Sequence, residues 1–467
     1  MPAITFDFHE LTQPIQNAID DFDQHADVNQ MLEKLHTLLV KFIEDLVAAT
    51  IQKKLLCHKF LAFLKPIAGK MALRFNGYKQ TSIRLLSGQL IQIMSPHFKK
   101  VGPKKRGRKS KKRKAKSGRH LGLAYLGFID RTSILLSSSV VQAALLCPSF
   151  EIAKQTLSAF GITIGVKTIQ NLCRNLGKQA MNHRYKIALS GTDNTIDRIL
   201  SVFIDGGRVR ERIPKRGRKP ANQKRQGYHT DWREPIQIVI EWLNADGSKD
   251  KDTLPLYDAT LEDINQAFDM LESYLYQINI TQADKVVFCA DGARPYWKRF
   301  STLAKKLDIK EHYEIIDYTH AKQNLYEIVD NLPKKMGPKK ISKIFDQWKT
   351  LLWKGNLKVI KCQIREYIKS PKKYKAAMKK FKNYFLKNDH RMQYSTFCKK
   401  ALPTGSGCVE SAIRRVINLR LKSPGTFWKR DTVEVMLFLR STLLCGRWKI
   451  MLTNLITVNR GGLIPCP

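Results

Sequence analysis

The chain has 467 residues, 43% of them hydrophobic, which suits several folded domains rather than a disordered polymer. Its 82 lysines and arginines against 40 aspartates and glutamates leave a formal charge of +42. Such a field favours a polyanionic partner, nucleic acid ahead of an anionic membrane surface. Apolar stretches such as 38–64 are broken by Lys41, Glu44, Asp45, Lys53, Lys54 and Lys59, so none supplies the roughly 20 apolar residues of a membrane span. The start, MPAITFDFHE, lacks the basic and apolar regions of a secretory signal. Nine scattered cysteines, none in a Cys-x-x-Cys pair, argue against a zinc ribbon or disulfide framework and fit a reducing cytosolic compartment.

Residues 1–98 read as a helical domain, because Met31, Leu32, Leu35, Leu38, Leu39, Phe42, Ile43 and Leu46 recur at helical spacing. They carry no evident chemistry, and packing or dimerisation is the simplest role. A basic arm follows at 99–120, where residues 99–119 hold 13 basic residues in 21. Its composition predicts an arm that stays unfolded until it meets DNA. Arg106-Gly-Arg108 at its centre and Arg216-Gly-Arg218 later, each flanked by Pro and Lys, resemble an AT-hook. Glycine would let the backbone approach a narrow minor groove that the two arginines enter. The alternative is a solvated charge run that meets phosphates without sequence preference.

In the next segment, 121–190, two short apolar-periodic stretches flank Gly161 and Gly165. The first carries Ile152, Ala153, Leu157 and Phe160, the second Val166, Ile169, Leu172 and Leu176. This predicts a helix-turn-helix-like DNA-binding domain in which Lys167, Thr168, Gln170 and Asn171 face a groove.

From residue 199 the period changes. Strands are predicted at 199–204, 235–242 and near 251–256, a helix at 260–277, a strand at 285–290, a helix at 295–307 and a strand at 313–316. Three strands, helix, strand, helix, strand is the order of an RNase H-like mixed sheet, here spanning 196–320. Asp205-Gly-Gly ends the first strand and Asp291-Gly the fourth. A Lys-rich helical insertion at 321–402 precedes the second part of the core at 403–450 and a tail at 451–467. Glu410 opens the helix after Gly405-Ser-Gly407, with Arg414, Arg420 and Lys422 following as cations for phosphates. The predicted fold class is thus α+β multidomain, an RNase H-like core with a helical insertion, preceded by helical and helix-turn-helix regions. Phosphodiester cleavage by two Mg²⁺ ions, with Mn²⁺ as substitute, needs a few hard carboxylate ligands, and Asp205, Asp291 and Glu410 supply them. Taken singly, each Asp-Gly could be only a turn.

Several further motifs extend the pattern: Tyr228-His-Thr-Asp-Trp232-Arg-Glu-Pro235, Ala290-Asp-Gly-Ala293, Asp317-Tyr-Thr-His320, Gly405-Ser-Gly-Cys-Val-Glu410-Ser, Leu439-Arg-Ser441 and Gly446-Arg-Trp448. Together they resemble the DDE transposases of bacterial insertion sequences, of the ISKra type within the Mutator-like superfamily, over residues 120–450. The resemblance implies Mg²⁺-dependent DNA strand cleavage and strand transfer at terminal inverted repeats. It implies Asp205, Asp291 and Glu410 as the acidic triad, and Asp317 and His320 as a supporting D-x-x-H signature. Tyr318-Thr319 stands where that family has two aromatic residues. The implied partners are double-stranded DNA, both transposon ends and target, and a second copy of the chain, as a homodimer or higher oligomer without membrane. The implied place is the bacterial cytoplasm, at the nucleoid. Two alternatives stay open: an RNase H-like nuclease that cuts without joining, and a domesticated DNA-binding regulator. For Asp317 and His320 the alternative is a helix N-cap and a core histidine.

Overall fold

The structure, a computed structural model, describes residues 9–25, 27–100, 118–184, 195–218, 221–223 and 226–461. Arg106 and Arg108 lie outside the described residues. The chain divides into two compact units: Met1–His183 with Met451–Pro467, and Arg184–Ile450.

The first unit opens with helices α1 (His9–His25), α2 (Val28–Leu56) and α3 (His58–Lys70). The expectation of an all-helical first 98 residues then fails. β1 (Leu73–Ile83) and β2 (Ile91–Lys100) pair antiparallel, and β3 (Gly118–Arg119) adds to β2. The physical reason lies in residue type. Phe75 makes edge-on ring contacts with Phe98 across the ladder and with Tyr78 along its own strand, and Ile83, Ile93 and Phe98 enter the core shared with Leu55 and Leu64. The Glu44 carboxylate is buried beneath this region and accepts from Leu86 N at 2.6 Å and from Ser87 N and Oγ, both at 2.7 Å.

After α4 (Leu121–Tyr125) and the small β4 (Phe128–Ile129) and β5 (Thr132–Ser133) pair, three helices pack on one another: α5 (Ile134–Leu146), α6 (Phe150–Ala159) and α7 (Val166–Met181). Ser133 and Ser149 cap α5 and α6 through Leu136 N and Ile152 N. Gly161 turns at φ +74° between α6 and α7. Ala153, Leu157, Ile169, Leu172 and Leu176 are buried, whereas Ile152 and Phe160, expected on the inner face, are 42% and 73% exposed.

The second unit is built on a mixed five-stranded sheet. Its strands are β6 (Arg198–Gly206), β9 (Ile236–Asn244), β10 (Leu256–Thr260), β11 (Lys285–Ala290) and β12 (His312–Ile316), separated by the β7 (Val209–Pro214) and β8 (Tyr228–Arg233) ribbon. The order across the sheet is β10-β9-β6-β11-β12. β6–β9 and β9–β10 run antiparallel, β6–β11 and β11–β12 parallel. Helix α8 (Ile264–Gln277) joins β10 to β11, and α9 (Arg294–Lys306) joins β11 to β12. The sequence order of strands and helices is the expected one, but the third strand sits at 256–260 rather than near 251–256. β10 is buried at every position, Asp258 included.

Asp258 is tolerated there because Arg184 meets it. Arg184 Nε donates to Asp258 Oδ2 at 2.7 Å, Nη2 donates to the other carboxylate oxygen, and Nη1 reaches Glu434 Oε1 at 3.2 Å. Tyr274 donates its hydroxyl to Asp258 Oδ2 at 2.6 Å. Burial alone would lower the arginine's pKa, but Asp258, Tyr274 and Glu434 outweigh it and hold the charge.

After β12 come α10 (Tyr318–Val329), α11 (Pro338–Trp353), α12 (Leu357–Tyr367), α13 (Pro371–Lys380) and α14 (Tyr394–Lys399), with a π-helical turn at Phe381–Phe385. These form the helical insertion, and Trp348, Phe381 and Phe385 are fully buried in the same core as the sheet. Helix α15 (Gly407–Ile413) continues through a second π turn, Arg414–Asn418, into α16 (Leu419–Leu421). Helix α17 (Arg430–Leu444) packs on β10, and α18 (Trp448–Gly461) ends the described chain. Among the described residues no helix is long and apolar enough to cross a membrane.

Removing Arg184 leaves the Asp258 carboxylate buried without its main cation. Arg184→Ala is expected to cost about 3–5 kcal/mol in chemical denaturation. Arg184→Lys should recover only part, since an ammonium cannot reproduce the two-pronged contact. A variant as stable as the parent would contradict this account of β10.

Candidate active site

Two aspartates are brought together by strand register. Ile204 and Ala290 are partners in the parallel β6–β11 pair, so the next residues, Asp205 and Asp291, leave adjacent strands at the same end. Asp205 Oδ1 accepts from Gly206 N at 2.7 Å, and Asp291 Oδ1 accepts from Ala293 N at 2.9 Å. Each carboxylate is thereby pinned through one oxygen. Glu410 stands exposed in the first turn of α15, a helix that packs on both β6 and β9.

The acids feel one another. The Asp205 pKa is raised, first by burial and then by the charges of Asp291 and Glu410, against the opposing effects of the Gly206 amide and His320. Tyr296 on α9 is pushed up to about 12 by burial and by Asp291, Asp205 and Glu234. Its phenol therefore stays protonated at neutral pH and keeps a donor beside the carboxylates.

The glycines after each aspartate are explained by what packs against them. A Cβ on Gly292 would lie 2.1 Å from the Tyr384 ring, and one on Gly207 would lie 2.4 Å from Ile417 Cδ1. Both intruding side chains sit on π-helical turns, Tyr384 in 381–385 and Ile417 in 414–418. An extra residue in a helical turn re-aims the following side chains and frees carbonyls from the regular ladder. Arg440 on α17 takes up the carbonyls of the second turn. Its Nε donates to Val416 O at 2.7 Å, and its Nη2 donates to Arg415 O. Burial, and then the nearby Arg420, lower the Arg440 pKa to about 10.

Asp317 and His320 divide their roles. Asp317 is fully buried and caps α10, accepting from Thr319 N and from His320 N at 3.1 Å. Its other oxygen accepts from Ser406 N at 2.6 Å, and Tyr318 N donates to Thr404 O at 3.0 Å. Asp317 thus ties the end of β12 to the loop that leads into Glu410. It is the N-cap of α10, as the N-cap alternative had it, and it bonds the backbone of His320 rather than its ring. His320 lies in the field of Asp205.

Sequence reasoning missed Glu234, Tyr296 and Tyr384. The signal for Glu234 was the hairpin register: Gly206 pairs with Ile236, which sets Glu234 beside the glycine, 3.0 Å from an added Cβ. Three carboxylates offer the hard oxygen donors that Mg²⁺ or Mn²⁺ takes, and the mutual repulsion at Asp205 is what a cation would offset. Among the described residues, however, no three His, Cys, Asp or Glu side chains converge in a ready ligand sphere. Glu410 is exposed at its helix start.

The expected DNA-contact residues lie on several different elements. Lys167 and Gln170 are exposed on α7, while Thr168 and Asn171 are half-buried. Arg216 and Arg218 are exposed in the connection between β7 and β8, and Arg414 and Lys422 are exposed after Glu410. Arg420 corrects the expectation of a cation row: it is only 2% exposed, with its guanidinium 5.0 Å from the Trp428 ring centroid. There it stacks on the indole rather than standing on an outer face.

Asp317→Ala should remove a cap and a charged hydrogen bond together. We expect a loss of about 2 kcal/mol or more of stability. Asp317→Asn, which keeps an acceptor oxygen, should lose less. Equal losses would show that the carboxylate does not hold the Ser406 loop as described.

The raised Asp205 pKa fixes the sign of a second expectation. The folded state binds this proton more tightly than the unfolded one, so the stability contributed by Asp205 is present in acid and lost as pH rises through the folded pKa. Asp205→Asn, which does not titrate, should therefore gain in melting temperature relative to the parent between acid and neutral pH, in chelator-treated buffer. A difference that stays flat with pH, or moves the other way, would contradict the crowding of acids.

No family model, curated protein or solved structure matches the chain, so the geometry of these acids carries the functional reading.

Proposed function

We propose that the chain is a DDE-type DNA transposase that binds the ends of a mobile element and carries out metal-dependent strand cleavage and strand transfer. One observation carries the reading. Two aspartates leave the same end of adjacent parallel strands at the middle of a five-stranded mixed sheet, with a glutamate from a distant helix in their field. The strand order and directions agree with those of an RNase H-like core, and that agreement supports the reading.

Asp205, Asp291 and Glu410 would hold Mg²⁺, or Mn²⁺ in its place. When bound, the metal supplies an activated water or 3′-hydroxyl and stabilises the leaving oxygen. The chain's own residues do the rest. Gly206 N and Ala293 N fix the two aspartates, Asp317 sets the loop before Glu410, and the Tyr296 phenol offers a donor for a phosphate oxygen. Lys167 and Gln170 on α7, within a helix-turn-helix reading of α6–α7, and Arg216, Arg218, Arg414 and Lys422 provide phosphate and groove contacts. The net charge of +42 suits that task. Joining two DNA ends calls for at least two copies of the chain acting together in the bacterial cytoplasm. A nuclease that cuts without joining would use the same acids and differs only in its product.

The test uses the purified chain, Mg²⁺ and duplex DNA carrying the sequences that flank its gene. Asp205→Asn, Asp291→Asn and Glu410→Gln should each reduce cleavage to background while duplex binding persists. Near-normal cutting by any of the three removes that residue from the site. Free ends without joined products would leave only the nuclease.

A further inference from the structure

The β7–β8 ribbon grows out of the site itself. Its root is Gly207, whose N donates to Pro235 O at 2.8 Å, and Val209 pairs with Arg233 just beyond. The ribbon therefore continues the β6–β9 ladder past Asp205. Along an antiparallel pair, alternate side chains share a face. Arg210, Arg212, Tyr228, Thr230 and Trp232 fall on one face, and Glu211, Asp231 and Arg233 on the other.

The two faces differ in chemistry. On the second, ion pairs dominate and acids outnumber the arginine: Arg233 pairs with Glu211 at 2.6 Å and with Asp231 at 3.3 Å. On the first, β7 and β8 themselves carry no acid, and among the described residues no carboxylate pairs with Arg210 or Arg212. Arginine and aromatic rings alternate instead. Arg210 lies 5.2 Å from the centroids of both Trp232 and Phe427, and Arg212 lies 5.1 Å from that of Tyr228. Despite these contacts Trp232 is 50% and Tyr228 43% exposed. The segment bearing Phe427 is fastened to the ribbon by Arg212 N donating to Trp428 O at 2.7 Å and Trp428 N donating to Arg210 O at 3.0 Å.

A protein surface that served only phosphates would need no open rings. Indole and phenol faces offer most to bases that are not already stacked in a duplex, and arginines between them meet the backbone. Trp232 and Tyr228 are four residues apart on one strand, about 14 Å at about 3.4 Å per residue. That distance suits about four stacked nucleotides. We propose that this face holds a short single-stranded stretch of nucleic acid next to the bond cut at Asp205 and Asp291. The inference rests on the nucleic-acid reading above and adds the substrate form: a strand whose bases are unpaired beside the site.

The experiment compares a dye-labelled 20-nucleotide oligo(dT) with a blunt 20-base-pair duplex by fluorescence anisotropy on the full chain. The Tyr228→Ala/Trp232→Ala double variant should lose tenfold or more of its oligo(dT) affinity, given base–ring stacking of about 1–3 kcal/mol per base. Its duplex affinity should stay within about twofold. Tyr228→Phe/Trp232→Phe, which keeps both rings, should bind oligo(dT) nearly as the parent does, which separates stacking from a fold defect. Equal losses on both oligonucleotides, no loss on either, or no rescue by the phenylalanines would overturn the inference. A parent chain that binds duplex but not oligo(dT) would overturn it alone, whereas one that binds neither would overturn the nucleic-acid reading as well.

Discussion

The parallel register of β6 with β11 is the constraint on which the site depends. It sets Asp205 and Asp291 side by side at the end of the sheet, where burial and like charge raise the Asp205 pKa. Two carboxylates in this position are costly on their own, and the surrounding chain is arranged around that cost. Backbone amides of Gly206 and Ala293 each take one oxygen. The glycines that follow the acids leave room for Ile417 and Tyr384 to close over the turns. Structure and proposed chemistry meet at this point, because a cation is the partner that would relieve the repulsion most directly.

Elements far apart in the chain complete the arrangement through backbone contacts rather than side-chain pairs. Asp317 joins the end of β12 to the loop before α15. Arg440 secures the π turn that follows α15, so that Ile417 faces Gly207 while Arg414 remains outside. The insertion contributes its own π turn, and with it Tyr384. These contacts show how a segment of more than seventy residues can interrupt a sheet domain without loosening it: its buried Trp348, Phe381 and Phe385 share the core of the sheet.

Much of this was legible in the sequence. Apolar strands ending in Asp-Gly are short, periodic signals, and β6, β9, β11 and β12 lie close to their predicted positions. β10 was displaced because Asp258 interrupts its apolar run, and only Arg184, distant in sequence, makes that charge acceptable. The β7–β8 ribbon escaped notice for a different reason. Its alternation separates cation–aromatic from ion-paired residues, so an apolar–polar reading finds no strand there. β1 and β2 were hidden by the strong helical pattern of α2. The burial of Arg420 was not legible in the helical period, which the π turn at Arg414–Asn418 interrupts just before it. Glu410 is proposed from its place after Gly405-Ser-Gly407, whereas the nearness of Glu234 to Gly206 required the hairpin register.

The central claim of the proposal is that Asp205, Asp291 and Glu410 together bind the divalent cations of strand cleavage. Iron-mediated backbone cleavage tests it most directly. Fe²⁺ substituted for Mg²⁺ on the DNA-bound chain, with ascorbate and peroxide, cuts the polypeptide near the bound metal. The account predicts Mg²⁺-competed cuts clustered near residues 205–207, 291–293 and 406–411. Cuts elsewhere, or at only one of these segments, would contradict it.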